Sequence, residues 1–155
     1  MRRAVPPPVL GIIAAIVGFG IDQATKAIVI ANAATLNSGI TVFQGFDLIH
    51  VRNYGVTFGL LNGVPWWSLA VLALAVCVWL IVMLIRSPNP VESLAYGAII
   101  GGALGNVLDR ARYRSVTDFL DFYIGDLHWP TFNMADVFVV CGVGVLLVAQ
   151  QRGAS

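Results

Sequence analysis

The sequence predicts an all-α polytopic membrane protein, four transmembrane helices with a small extracytoplasmic β element, forming a single membrane-embedded domain over residues 1–155. Three observations predict it. Hydrophobic residues are 58% of the chain and charged residues 11%, where a soluble domain has roughly 45–50% and 25%, and the mean hydropathy is +0.83. Four stretches approach the roughly 20 apolar residues that cross a hydrocarbon core about 30 Å thick. The polar residues gather in two long connections and at the helix ends beside them.

The first span, about 9–31, follows Pro6-Pro7-Pro8, which favours a helix start. It is apolar to Ile21 and then carries Asp22 and Lys26. Arg2-Arg3, the apolar stretch 9–21 and Ala31-Asn32-Ala33 imitate a cleaved signal peptide, but Asp22 and Lys26 would stand between core and cleavage site, so a retained helix is expected. The second span, about 64–85, holds no ionisable residue. The third, about 93–112, opens on Glu92-Ser93 and carries Gly97, Gly101, Gly102 and Gly105, which allow close helix approach. It ends in Asn106, Asp109 and Arg110. The fourth, about 136–150, begins at Asp136 and closes on Gln150-Gln151-Arg152.

The connection 32–63 is long enough to carry structure of its own. Within it, residues 46–53 alternate as a strand, with Ile49 and Val51 on one face and Leu48, His50 and Arg52 on the other, between Gly45 and Tyr54-Gly55. The connection 111–135 repeats that character with Asp118-Phe119-Leu120-Asp121-Phe122 and a Gly125-Asp126 turn. Trp66, Trp67, Tyr113, Tyr123 and Trp129 near the span ends read as interfacial anchors.

A net charge of +1 leaves no electrostatic footprint for nucleic acid. Cys77 and Cys141 sit inside apolar runs, where thiols behave as small hydrophobes, and no metal-ligand spacing is present. There is no His-Glu-x-x-His helix, no Gly-x-Ser-x-Gly elbow and no Walker loop; His50 and His128 read as solvated. Four spans would put Arg2, Arg3, Arg86 and Arg152 on one side and Lys26, Arg52, Arg110, Arg112 and Arg114 on the other, so the positive-inside rule does not fix orientation. Arg2-Arg3 ahead of the first span favour a cytoplasmic N-terminus. Of the eight carboxylates, only Glu92 falls on that side.

Charges at membrane depth pair, face a cavity, or act. Asp22 and Lys26, four apart on one helical face, suit an ion pair with a snorkelling lysine. Asn106 and Asp109 share a face, and an Arg110–carboxylate bond would lock two helices. Asp118 and Asp136 come to one depth if residues 113–135 fold back. Two neighbouring carboxylates share one proton and so offer a base and an acid together, the chemistry of an aspartic peptidase. A carboxylate-lined ion-coupled transporter is the alternative, and a metal-dependent headgroup transferase a second.

Five motifs stand in order along the chain: Asp22-Gln23-Ala24-Thr25-Lys26; Asn53-Tyr54-Gly55-Val56-Thr57-Phe58-Gly59; Gly101 to Gly105 followed by Asn106, Asp109 and Arg110; Val116-Thr117-Asp118-Phe119; and Phe132-Asn133-Met134-Ala135-Asp136. With them the chain resembles the bacterial lipoprotein signal peptidases (signal peptidase II) over nearly its whole length. The resemblance implies a membrane aspartic endopeptidase that cleaves before the lipidated cysteine of diacylglyceryl-modified prolipoproteins. It implies no metal or cofactor, and prolipoprotein and membrane lipid, not nucleic acid, as partners. It places the chain in the bacterial inner membrane, with the site at the extracytoplasmic face and both termini cytoplasmic. Its catalytic pair maps onto Asp118 and Asp136, and its supporting residues onto Asp22, Lys26, Asn53, Gly55, Asn106, Asp109, Arg110, Asn133 and Ala135. Val56-Thr57 and Val137 depart from the family pattern.

Overall fold

Proline and asparagine set the helix starts. The computed structural model describes residues 5–55 and 65–153; Arg2, Arg3, Val56, Thr57, Phe58, Gly59 and Val64 lie outside the described residues. Helix α1, Pro7–Ala31, follows Pro6 at its cap, and α3, Trp66–Arg86, follows Pro65. Helix α4, Pro90–Tyr113, begins earlier than the expected Glu92-Ser93, because Asn89 accepts a hydrogen bond from the Val91 amide and Pro90 takes the first helical position. Helix α5, Met134–Gly153, begins two residues before Asp136. Among the described residues, α1, α3 and α4 are long and apolar enough to cross a membrane, while the apolar part of α5, Met134–Ala149, is shorter.

Helix α4 packs against α1, α3 and α5. Its glycines explain how. A Cβ at Gly97 would overlap the Gly11 carbonyl of α1, and one at Gly105 would overlap the Asp22 carboxylate. Only glycine at 105 therefore lets a charged side chain of α1 enter the helix interface. Leu80, Leu84, Ile99 and Ile100 form a buried apolar cluster farther along.

Between α1 and α3 the chain forms a short helix α2, Ala33–Leu36, and strands β1, Ile40–Phe43, and β2, Phe46–Asn53; α2 and β1 carried no periodicity that announced them. After α4 come β3, Val116–Ile124, and β4, Leu127–His128. All pairings are antiparallel, in the order β1-β2-β3-β4.

One irregularity in this sheet corrects the sequence reading. Leu48 pairs with Leu120 and Val51 with Asp118, so β2 contributes one extra residue between them. Leu120 and Asp118, two apart, share a face of β3. Leu48 and Val51 therefore share a face too, which strict alternation forbids. The shifted register continues to Asn53, opposite Val116, and so puts Asn53 on the face of Asp118. An unbulged β2 would present Asn53 on the opposite face.

Candidate active site

Asp118 and Asp136 line one polar cavity of about 100 Å³, together with Asn53, Gly55, Asn106, Arg110 and Val116. The 113–135 connection does fold back, as the β3–β4 hairpin. Asp118 Oδ2 accepts from Asn53 Nδ2 at 2.9 Å and its Oδ1 from Asn133 Nδ2 at 2.6 Å. Asp136 Oδ1 accepts from Asn106 Nδ2 at 2.9 Å, and its Oδ2 from the Asn133 backbone amide at 3.1 Å. The Asn133 Oδ1 in turn accepts from the Asp136 amide at 3.2 Å. Asn133 thus ties both carboxylates through one residue, with no solvent exposure of its own.

Beneath the cavity lies a second layer of buried charge. Lys26, 1% exposed, does not snorkel but points inward. Its Nζ meets Asp22 Oδ2 at 2.9 Å, Asp109 Oδ2 at 3.6 Å and Asn106 Oδ1 at 2.8 Å. Asp22 Oδ1 accepts from the Ala135 amide at 2.9 Å, fixing the first turn of α5 to α1. Asp109 Oδ2 accepts from the Thr117 amide at 2.9 Å, fixing the start of β3 to α4. Asn106 is the junction: it accepts from Lys26 and Asn133 and donates to Asp136.

Each resemblance-derived residue falls in one of these two layers. Arg110 departs from the expected helix lock: among the described residues it bridges no carboxylate, and instead donates to the Gly55 carbonyl at 3.3 Å and the Asn106 carbonyl at 3.4 Å. The histidines are also not simply solvated. His50 Nδ1 lies 2.8 Å from Asn37 Oδ1, and His128 Nδ1 lies 2.8 Å from Asp121 Oδ2. Asp121 is buried but pairs across the sheet with Asp47, outside the cavity. Tyr113 and Tyr123, expected as interfacial anchors, have polar partners: Arg52 stacks 4.4 Å over the Tyr113 ring, and the Tyr123 hydroxyl donates to Asp47 at 3.3 Å. Gln23, which sequence reasoning passed over, donates to Asp22 Oδ2 at 3.0 Å and to the Gly105 carbonyl at 3.3 Å. Its position inside the first motif was the one available signal.

Burial pushes the Asp118 carboxyl up to about 6. The Asn53 hydrogen bond opposes that shift, the nearby Asp136 charge adds to it, and Asn133 and Lys26 oppose it less strongly. A carboxyl so placed holds a proton at pH values where an ordinary aspartate has lost it.

The buried layer carries a direct expectation. Removing one member of a buried charge cluster leaves its partners unpaired in low dielectric and costs about 3–5 kcal/mol. Lys26→Met should therefore lower the thermal unfolding midpoint in detergent sharply, and an unchanged midpoint would show that Lys26 does not neutralise Asp22 and Asp109.

The family model for signal peptidase (SPase) II matches residues 14–151. The chain belongs to the signal peptidase II family. Curated relatives of the family, each named lipoprotein signal peptidase, include one from Nitratidesulfovibrio vulgaris, 45% identical over 87% of this chain and 85% of its own. Another, from Anaplasma phagocytophilum, is 36% identical over 100% of this chain and 97% of its own. Among solved structures, a bacterial membrane enzyme determined by the in meso method at 2.3 Å superposes with a TM-score of 0.83 at 27% identity, covering 94% of this chain and 89% of that one. A signal peptidase II is a protease, and a pair of carboxylates in one cavity is what an aspartic protease requires. The transporter reading finds no support: α3 carries no charged residue from Trp66 to Ile85, and the buried charged groups Asp22, Lys26, Asp109 and Asp118 gather at one end of the helices.

Proposed function

We propose that this chain is a membrane aspartic endopeptidase that removes the signal peptide from diacylglyceryl-modified prolipoproteins, cutting before the lipidated cysteine. Asp118 and Asp136 are its catalytic pair. The observation that carries the reading is the shared cavity, with both carboxylates tethered through Asn133. At about 100 Å³ it has room for a few water molecules, or for one water and a peptide carbonyl. One carboxylate, ionised, takes a proton from that water as its oxygen attacks the scissile carbonyl carbon. The other, protonated, hydrogen-bonds the developing oxyanion and passes its proton to the departing nitrogen. Arg110 and the amides of Asn53 and Asn106 line the same cavity and can hold the substrate backbone. The buried layer of Asp22, Lys26, Asp109 and Ala135 fixes α1, α4 and α5 so that the pair keeps its geometry.

The direct test is incubation of purified protein with a lipidated prolipoprotein, reading the released signal peptide by mass. Release that persists in excess chelator supports the aspartic mechanism. No release, or release abolished by the chelator, overturns it.

The mechanism needs one proton on the pair, and Asp118 loses its proton near pH 6. kcat/KM should therefore fall on an alkaline limb centred near that value. The Asn53 donor stabilises the ionised Asp118, so Asn53→Ala should move the limb to higher pH. A limb that stays in place or moves down would show that Asn53 does not act on the charge of Asp118.

We further propose four membrane crossings in the bacterial inner membrane, α5 being the fourth, with the cavity at the extracytoplasmic face and both termini cytoplasmic. Ser38 and Pro88 are both exposed, at opposite ends of this arrangement. A cysteine at Ser38 should label with a membrane-impermeant thiol reagent in cells with a permeabilised outer membrane, and one at Pro88 should stay shielded. The reverse pattern would turn the site to the cytoplasm.

A further inference from the structure

Asp136 borders two spaces of opposite character. On one side is the polar cavity of about 100 Å³. On the other is an apolar hollow of about 450 Å³ walled by Trp129, Pro130, Phe132 and the outward residues Val137, Val140 and Cys141 of α5. A second apolar hollow, about 510 Å³, continues from Cys141 past Gly144, Val145 and Val148. The two share Cys141, and from Asp136 to Ala149 the helix rises about 20 Å. The two hollows lie one after the other along α5, the first beside Asp136 and the second beyond Cys141, and make up one trough in the proposal that follows.

We propose that this trough seats one hydrocarbon chain of the substrate's diacylglyceryl group, and so contributes to choosing and placing the lipidated cysteine at the pair. The assignment rests on the function proposed above. Three observations support it. The trough opens at Asp136, which also faces the cavity where the bond is cut, so a chain hanging from the residue beside that bond enters it at the correct end. Apart from Asp136 at one end, Asn89 at the start of α4 and the weakly polar thiol of Cys141, the walls are apolar. An extended peptide there would leave its amides and carbonyls without partners, at several kcal/mol each, whereas an alkyl chain needs none. The floor is also open at Gly144, where an added Cβ meets nothing within 4 Å, although Gly142 two residues earlier is packed against Ile99 and Ala95. A side chain at 144 would therefore project into the trough and not into the helix contacts.

That last point supplies the test. Gly144→Leu fills the trough part-way along while leaving the interior contacts of α5 in place. Two prolipoprotein substrates are compared in the same micelles, identical in peptide but bearing long or short diacylglyceryl chains, the short ones ending before position 144. The variant should lower the ratio of kcat/KM for the long-chain to the short-chain substrate by about tenfold or more, because a displaced chain moves the scissile bond. An unchanged ratio overturns the proposal. In that case, equal losses on both substrates would assign the trough to the signal-peptide helix, and no loss on either would leave it to bulk bilayer lipid.

A binding readout keeps this separate from the proposed activity. A diacylglyceryl lipopeptide carrying a photoreactive group midway along one chain should crosslink to residues 140–148 of the parent protein, and Gly144→Leu should abolish that crosslink. Crosslinking elsewhere overturns the seat. Failure of the parent to cleave any lipidated prolipoprotein, with the crosslink intact, would overturn the peptidase function and leave the lipid seat standing.

Discussion

Asp118→Asn and Asp136→Asn should each lower the rate of signal-peptide release by about 10³-fold or more, since one remaining carboxyl cannot be base and acid in the same step. The replacement is isosteric, and the surroundings show what it costs otherwise. Each carboxylate receives hydrogen bonds on both oxygens: Asp118 from Asn53 and Asn133, Asp136 from Asn106 and the Asn133 amide. An asparagine at either place turns one acceptor into a donor facing a donor, a loss of about 1–3 kcal/mol, so both variants should still fold, with a modestly lower melting point. Asp121→Asn and Asp126→Asn are the controls. Asp121 is buried against His128, away from the cavity, and its loss should affect stability more than turnover. Substantial cleavage by either Asp118→Asn or Asp136→Asn would remove the two-carboxylate mechanism.

The second large effect concerns the lipid on the substrate. A prolipoprotein lacking its diacylglyceryl group should be cut with kcat/KM lower by about 10²-fold or more, although burying the chains against the protein gains little hydrophobic energy. Lipid tails are as apolar as the side chains they would touch, so transfer between them is close to neutral. The anchor contributes position: it confines the cleavage site to the depth of Asp118 and Asp136 and turns a search through solution into a local one. The loss should appear in kcat as well as KM, because misplacement of the bond persists after binding. Side-by-side kinetics on lipidated and unlipidated forms of one prolipoprotein would decide this. Comparable kcat/KM values would describe a peptidase that reads only peptide.

The helices were legible because the bilayer imposes a simple requirement, a long run without charge, which α3 meets with no charged residue between Trp66 and Ile85. Strand β2 was legible from alternation, but its bulge was not, since adding one residue to a ladder alters pairing without altering composition. That difference decides the site, for it brings Asn53 to Asp118. The short α2 and β1 lack the length for a periodic signal. Composition and order identified Asp118 and Asp136 as unusual, yet their meeting depends on the β3–β4 hairpin folding back. Lys26 shows the opposite error: local spacing pairs it with Asp22, which is correct, but its contacts to Asn106 and Asp109 come from another helix. The i,i+4 rule cannot anticipate them.

The buried layer also has a consequence for how the protein is made. Lys26 finds Asn106 80 residues later in the chain, and Asp22 finds the Ala135 amide 113 residues later. At about 5–20 residues per second of synthesis, these partners emerge roughly 4 to 23 s later. During that interval α1 must carry a carboxylate and an ammonium at membrane depth with only its own groups for compensation, the two charges and the Gln23 amide, and an unpaired charge there costs about 3 kcal/mol even on lenient insertion scales. The Asp22–Lys26 bond at 2.9 Å lies within α1 itself and needs neither α4 nor α5, so it can form as soon as the first helix does.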